Sequence, residues 1–83
     1  MVNRMVYCKI KERNADSAVY LIGARTDDMT GEITFFKGNR LPKLNKQAEK
    51  YPVREMHISR LYGKHRSDFE KGIFKDKIAY EIG

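Results

Sequence analysis

Three short segments within the first 37 residues alternate apolar and polar side chains, with turn-like sequences between them. They span residues 5–12, 17–25 and 32–37. Alternation with a period of two is typical of β-strands, because successive side chains of a strand point to opposite faces of a sheet. Connections this short join antiparallel neighbours. The sequence therefore predicts an N-terminal meander of three antiparallel strands.

The same alternation predicts which side chains share a face within each strand. The opposed sets are Val6, Cys8 and Ile10 against Tyr7, Lys9 and Lys11; Val19 and Leu21 against Tyr20 and Ile22; and Ile33 and Phe35 against Thr34 and Phe36. Apolar residues on both faces of the second segment predict a central strand. Gly23, near the end of that segment, is interpreted as a bulge.

A helix is predicted over residues 42–50, after a turn at Gly38 and Asn39. Pro42 suits a first helical turn, where its missing N–H is no loss. Pro52 disfavours helical geometry at the residue before it, so the helix would stop there. One face of this helix would carry Leu41, Leu44, Ala48 and Tyr51, which recur at helical spacing.

Residues 53–71 are compatible with two structures. A helix would place five residues on one face: Ile58, Leu61, Tyr62, His65 and Phe69. Gly72 suits the C-terminal end of such a helix, although Gly63 in its interior costs about 1 kcal/mol. The alternative is a strand followed by one helical turn at 67–71, which Ser67 and Glu70 would cap. The apolar spacing favours the helix.

Residues 73–82 predict a last strand, with Ile78, Tyr80 and Ile82 facing inward, unless a turn at residues 75–77 splits it. The predicted fold class is α+β. It comprises a small antiparallel sheet, made of the N-terminal meander and the C-terminal strand, with one or two helices between residues 41 and 72. We expect an exposed edge strand at 5–12 or 73–82, through which a homodimer could form.

The length and the cysteine content limit the class of protein. A chain of 83 residues builds one modest core, which predicts a single domain over residues 1–83. The lone Cys8 excludes an internal disulfide and a cysteine-based zinc site, and favours a reducing, cytoplasmic compartment. We expect no membrane association, because no stretch approaches the roughly 20 apolar residues of a membrane span and the N-terminal residues do not resemble a signal peptide.

The net positive charge is concentrated in the middle of the chain. Residues 37–66 carry nine Lys or Arg against two acids, and the flanking segments are close to neutral. Such a localised field favours nucleic acid or an acidic protein surface as the partner. A solvated, solubilising face is the alternative interpretation, but such faces usually mix both signs. The predicted nucleic-acid-binding residues are Lys43, Lys46, Lys50, Arg54, Arg60, Lys64 and Arg66.

The aromatic residues of the meander have two possible roles. Tyr7, Tyr20 and Phe36 could share one sheet face, with Lys9 and Lys11 beside them. Such a face, if exposed, would resemble a platform on which bases stack while cations hold phosphates. The predicted helices need an apolar sheet face to cover, however, and this requirement favours core packing for the aromatic residues.

The sequence contains no arrangement typical of a catalytic or metal site. His57 and His65 are eight residues apart without a cysteine or a further histidine at ligand spacing. Asp27, Asp28 and Glu32 surround Gly31, and turn chemistry accounts for both aspartates. We therefore expect no cofactor and no metal. A small ribonuclease that uses His57 or His65 is the least favoured hypothesis.

Two hypotheses of function follow from the charge. The first is a non-catalytic protein that binds nucleic acid through its Lys/Arg surface. Seven phosphate contacts on a duplex would give a log–log salt slope of about −6. The second is an interaction or inhibitor module, of the kind found among accessory proteins of phages and mobile elements, that docks an acidic partner, where charge speeds association more than it sets affinity.

Overall fold

The structure is a computed structural model that describes the backbone of residues 4–82 and the side chains of residues 5–80. Its elements are β1 (Arg4–Arg13), β2 (Ser17–Gly23), β3 (Gly31–Phe36), β4 (Lys43–Lys46), α1 (Glu55–Glu70) and β5 (Lys77–Ile82). The strands form one antiparallel sheet in the order β4-β3-β2-β1-β5. The predicted α+β class is confirmed, with the meander in the middle of the sheet and the C-terminal strand beside β1.

The core lies between α1 and one face of the sheet. The buried side chains on that face include Val6, Cys8, Ala18, Tyr20, Ile22, Ile33, Phe35 and Ile78. Phe69 of α1 stands at the centre, with its ring centroid 4.6 Å from that of Phe35 and 5.9 Å from those of Tyr62 and Phe74. The alternation predicted within each strand is confirmed, and Tyr20 and Ile22 face the helix. The side chain of Ile82 lies outside the described residues.

The helix predicted within residues 53–71 is confirmed as α1. Its last turn ends in two backbone hydrogen bonds, in which the N–H of Gly72 donates to the carbonyl of Phe69 and the N–H of Ile73 donates to that of Asp68. This pattern needs a left-handed residue just after the helix, and Gly72 adopts φ 77°. The sequence thus identified the residue that stops the helix as well as its buried face.

The predicted helix at 42–50 is wrong, because residues 43–46 form the edge strand β4. A helix would have buried Leu41, Leu44, Ala48 and Tyr51 together, yet only Ala48 is buried and Leu41 is 73 % exposed. A helix of nine residues has little stability of its own. Two interactions stabilise the observed structure instead. Strand β4 pairs with β3, and the side chain of Gln47 forms hydrogen bonds with both the N–H and the carbonyl of Val53.

One smaller expectation holds in one of its two alternatives, and two others need correction. Strand β1 pairs with both β2 and β5, so residues 5–12 are not an edge, whereas β5, within residues 73–82, is an edge of the described sheet, as is β4. Strand β5 begins at Lys77 rather than at residue 73. Gly23 is not bulged, since it pairs in register with Tyr7. A Cβ at Gly23 would collide with the carbonyl of Asp28, and this close approach is the physical reason for the glycine.

Candidate functional site

The face of the sheet opposite α1, here called the open face, carries half-buried and exposed side chains. Cross-strand partners in an antiparallel sheet share a face, so the register assigns its members. They include Met5, Tyr7, Lys9, Glu12, Ser17, Val19, Leu21, Glu32, Thr34, Phe36, Lys43, Lys46, Lys77 and Ala79. Apolar and cationic side chains therefore lie together on one broad surface.

One row of cross-strand partners crosses the whole width of the open face. It runs from edge to edge through Lys77, Lys9, Leu21, Glu32 and Lys46. Lys9 and Lys77 are directly opposite each other on β1 and β5. Like charges in this relationship repel. The row thus places two lysines directly opposite each other on β1 and β5 and a third on β4, at the other edge of the sheet.

Two β-bulges bring further lysines to this face. The register of β4 shifts between Lys46, which pairs with Glu32, and Leu44, which pairs with Ile33, so Asn45 is the extra residue. Lys43 and Lys46 therefore both have partners on the open face. The second shift, in β1 between Ile10 and Glu12, leaves Lys11 as the extra residue, and the ammonium of Lys11 reaches Glu32 on the open face.

Glu32 neutralises one of these lysines. The ammonium of Lys11 donates to Glu32 Oε1 at 2.7 Å. This hydrogen bond raises the pKa of Lys11 and lowers the pKa of Glu32 from their ordinary values. Among the described side chains, no ion pair reaches the other lysines of the open face: Lys9, Lys43, Lys46 and Lys77. The described residues of the open face therefore carry five lysines, Lys9, Lys11, Lys43, Lys46 and Lys77, against two glutamates, Glu12 and Glu32, and Lys46 faces Glu32 across the β3–β4 pair.

The aromatic residues divide between the two faces of the sheet. Tyr7 and Phe36 lie half-buried on the open face, whereas Tyr20 is fully buried beneath α1. The three residues do not share a face, and the favoured interpretation of core packing holds for Tyr20 but not for Tyr7 and Phe36. The Tyr20 hydroxyl donates to the carbonyl of Lys75 at 2.7 Å, and burial raises the pKa of Tyr20 to about 12. On the open face, the Arg40 guanidinium stacks 4.1 Å from the centroid of the Phe36 ring.

The structure distributes the seven predicted nucleic-acid-binding residues over both sides of the sheet. Lys43 and Lys46 lie on the open face, and Lys50 and Arg54 lie in the segment that leads to α1. The remaining three, Arg60, Lys64 and Arg66, are exposed on the helix. Lys64 Nζ lies 3.4 Å from the carbonyl of Ala79 on β5, at the opposite edge of the sheet from β4. The seven residues do not form a single patch.

The sequence alone did not identify Lys77 as a residue of the cationic surface, nor did it connect Lys9 and Lys11 with the basic middle segment. Lys77 was assigned to a turn or strand near the C-terminus, and all three lie outside residues 37–66. Charge summed along the chain cannot detect cations that meet only when strands pair. The alternation in β1 was the available signal, because it already placed Lys9 and Lys11 on the face with Tyr7.

A cavity of about 400 Å³ lies at the β1–β5 end of the open face. Its lining includes Tyr7 and Lys9 of β1, Lys77 and Ala79 of β5, and Thr26 and Met29 of the loop between β2 and β3. The Tyr7 hydroxyl lies 2.7 Å from Met5 Sδ. Much of the lining is apolar, with side chains such as Met29 and Ala79, and the like-charged pair Lys9 and Lys77 belongs to the wall of the cavity.

The remaining reactive side chains lie away from the open face. Cys8 is buried, and burial raises the pKa of its thiol. His57 is 6 % exposed within the helix layer. Burial lowers the pKa of His65, whose ring centroid lies 6.3 Å from that of Phe69. Among the described residues, no group of three or more His, Cys, Asp or Glu could hold a metal ion, and no helix is long and apolar enough to span a membrane.

Comparison with known proteins found no matching family model, no matching curated protein and no matching solved structure.

Proposed function

We propose that the protein binds nucleic acid without catalysis and that the open face is its binding surface. The observation that carries this proposal is the excess of lysines over carboxylates among the described residues of the open face, together with the half-buried rings of Tyr7 and Phe36. Lysines contact phosphates and release counterions, which drives binding. Aromatic and apolar side chains on a sheet provide surfaces on which bases stack.

The proposal retains part of the site predicted from sequence and adds to it. Lys43 and Lys46 belong to both sets, and Lys9 and Lys77 are additions. Arg60, Lys64 and Arg66 lie on the exposed side of the helix, in the other layer of the fold. They would form a separate contact surface. A direct comparison of the two surfaces therefore tests which of them holds the nucleic acid.

The test compares two double variants with the same change in charge. Lys43→Gln with Lys46→Gln removes two cations from the open face, and Arg60→Gln with Arg66→Gln removes two from the helix. Affinity for labelled oligonucleotides is measured by fluorescence anisotropy at several salt concentrations. We expect the first variant to weaken binding and to reduce the salt slope by roughly 1.5 to 2, and the second to retain most of the affinity.

Two results would contradict the proposal. If wild-type affinity stayed constant between low and moderate salt, phosphate contacts could not drive binding. If the helix variant lost affinity and the open-face variant did not, the binding surface would be the helix. The two double variants have equal net charge, so long-range attraction alone cannot produce a difference between their affinities.

A protein partner is the second candidate, and one observation favours it. A groove of about 330 Å³ lies between the edge strand β4 and the start of α1, lined by Pro42, Leu44, Gln47, Val53, Glu55 and Ile58. Basic residues are close to it in sequence, namely Lys43, Lys46 and Arg54. An acidic segment with an apolar anchor would suit this groove. A partner retained in a pull-down after nuclease treatment of the lysate would favour this candidate.

A further inference from the structure

We infer that the nucleic acid bound by this protein is single-stranded, and that the cavity at the β1–β5 end of the open face receives one of its unpaired bases. This inference rests on the proposed function and specifies its ligand. Three features carry it: the size and lining of the cavity, its position on the open face, and the charge at its wall.

The cavity has the size and chemistry that a base requires. Its volume of about 400 Å³ falls within the roughly 300–1,000 Å³ of small-molecule sites. Tyr7 offers an aromatic ring and Met29 a polarizable thioether, both favourable partners for a flat π-system. The Thr26 hydroxyl can donate or accept a hydrogen bond. The lining therefore combines apolar contact with the hydroxyl groups of Thr26 and Tyr7, of which the Tyr7 hydroxyl lies 2.7 Å from Met5 Sδ and the Thr26 hydroxyl suits the edge of a base.

A cavity that receives a base favours a single strand over a duplex as the ligand. Its walls come from Tyr7 and Lys9 on β1, Lys77 and Ala79 on β5, and the β2–β3 loop. In a duplex the bases are stacked and paired, so one of them could enter a cavity only after being extruded, which costs a few kcal/mol. A single strand presents unstacked bases without that cost.

The charge at the wall calls for an anion beside the base. Lys9 and Lys77 are direct cross-strand partners, and directly opposed like charges destabilise a sheet. No described carboxylate forms an ion pair with either of them. A phosphate of the bound strand would bridge the two ammonium groups and remove their repulsion. A base in the cavity and its phosphate at Lys9 and Lys77 are then parts of one nucleotide site.

The experiment uses the full chain and two forms of one oligonucleotide of about 12 nucleotides, single-stranded and as a duplex. Ala79→Leu fills the cavity without changing charge, and Tyr7→Leu removes the aromatic ring. Ala15→Leu is the matched control, because it makes the same substitution at an exposed residue of the turn between β1 and β2, which does not line the cavity. Circular dichroism establishes that each variant is folded.

We expect wild type to bind the single strand more tightly than the duplex. Both cavity variants should lose at least about fivefold in single-strand affinity, with duplex affinity unchanged, and Ala15→Leu should behave as wild type. Equal or tighter duplex binding, or a folded Ala79→Leu with wild-type single-strand affinity, would overturn this inference alone. If wild type bound neither the single strand nor the duplex, the proposed function would be wrong as well.

Discussion

The carboxylate of Asp28 accepts a hydrogen bond from the backbone N–H of Tyr51 at 2.8 Å, across 23 residues of chain. The same oxygen, Oδ2, accepts from the N–H of Lys50 at 3.0 Å, and Oδ1 accepts from the Thr30 hydroxyl at 2.9 Å. Asp28 is 2 % exposed. One side chain in the β2–β3 loop therefore fixes the segment that leads from β4 to α1, and holds in place the loop that supplies Thr26 and Met29 to the cavity.

Replacement of Asp28 by Asn is expected to destabilise the fold. The amide keeps the size of the carboxylate but loses its charge and one of its two acceptor oxygens, so either the backbone N–H groups of Lys50 and Tyr51 or the Thr30 hydroxyl lose their acceptor. The midpoint of urea denaturation should fall while its slope stays constant. Asp27→Asn is the matched control, because Asp27 is exposed and its ion pair with Arg25 lies at the surface. Equal midpoints for the two variants would contradict this role for Asp28.

The Asp28 carboxylate also predicts a pH dependence of stability. Its hydrogen bonds, the one from Tyr51 foremost, lower the pKa of Asp28 from 3.8. The unfolded chain therefore takes up the proton first as the pH falls. The stabilisation is complete above about pH 4 and is lost as the pH falls through the folded-state pKa. Urea midpoints measured between pH 6 and pH 3 should fall less for Asp28→Asn than for wild type, and parallel curves would exclude Asp28 as a source of the effect.

The strands were predictable because each has a buried and an open face, which imposes a period of two on the sequence. Strand β4 lacks this signal, since it has four residues, all of them exposed, and a bulge at Asn45. Leu44 of this strand also recurs with Leu41, Ala48 and Tyr51 at a spacing that imitates a helix. The interaction of Asp28 with Lys50 and Tyr51 was equally invisible, because turn chemistry identifies an aspartate as structural without specifying partners 22 or 23 residues away.

The cationic surface was predictable only in part, for a related reason. The prediction summed charge along the chain, whereas the charge of the open face comes from residues on neighbouring strands. Lys9 meets Lys77 because β5 pairs with β1, and Lys11 meets Glu32 because β1 and β3 flank β2 in a fixed register. Residues of the same basic segment, such as Arg60 and Lys43, lie in different layers. Register is a property of strand pairing, and the sequence predicted the strands without the complete sheet order.

Gly63→Ala is expected to stabilise the protein. Gly63 lies in the interior of α1 and is exposed, and a Cβ built on it meets nothing within 4 Å. Glycine in a helix interior costs about 0.8–1 kcal/mol relative to alanine. The thermal midpoint should therefore rise by roughly 4–8 °C. A β-branched control, Gly63→Val, should gain less because its side chain loses rotamer freedom in a helix. A lower midpoint for the alanine variant would show that residue 63 is not helical.

Phe69 is expected to be among the residues most important for stability. Its ring packs against Phe35, Tyr62 and Phe74, and it is 1 % exposed. Phe69→Ala should cost about 3–5 kcal/mol in the free energy of unfolding, through lost burial and the cavity that remains. Phe69→Leu retains much of the apolar volume and should cost far less. Similar losses for both variants, measured by urea denaturation, would contradict an explanation based on volume.

Lys77→Gln is expected to change stability and binding in opposite directions. Lys9 and Lys77 are direct partners across β1 and β5, so removal of one charge relieves repulsion and should raise the free energy of unfolding by about 0.2–1 kcal/mol. The same change removes one phosphate contact and should weaken nucleic-acid binding, with the salt slope reduced by about 1.

The stability gain of Lys77→Gln should disappear in about 1 M salt, where the Debye length is roughly 3 Å and the repulsion is screened. Lys75→Gln is the control, because Lys75 forms an ion pair with Asp68 at 3.3 Å and does not line the cavity; its removal should give no gain in stability at any salt concentration. If removal of the Lys77 charge stabilises the free protein and weakens the complex, that charge contributes to ligand binding and not to folding. If Lys77→Gln instead destabilised the free protein and left binding intact, Lys77 would have only a structural role.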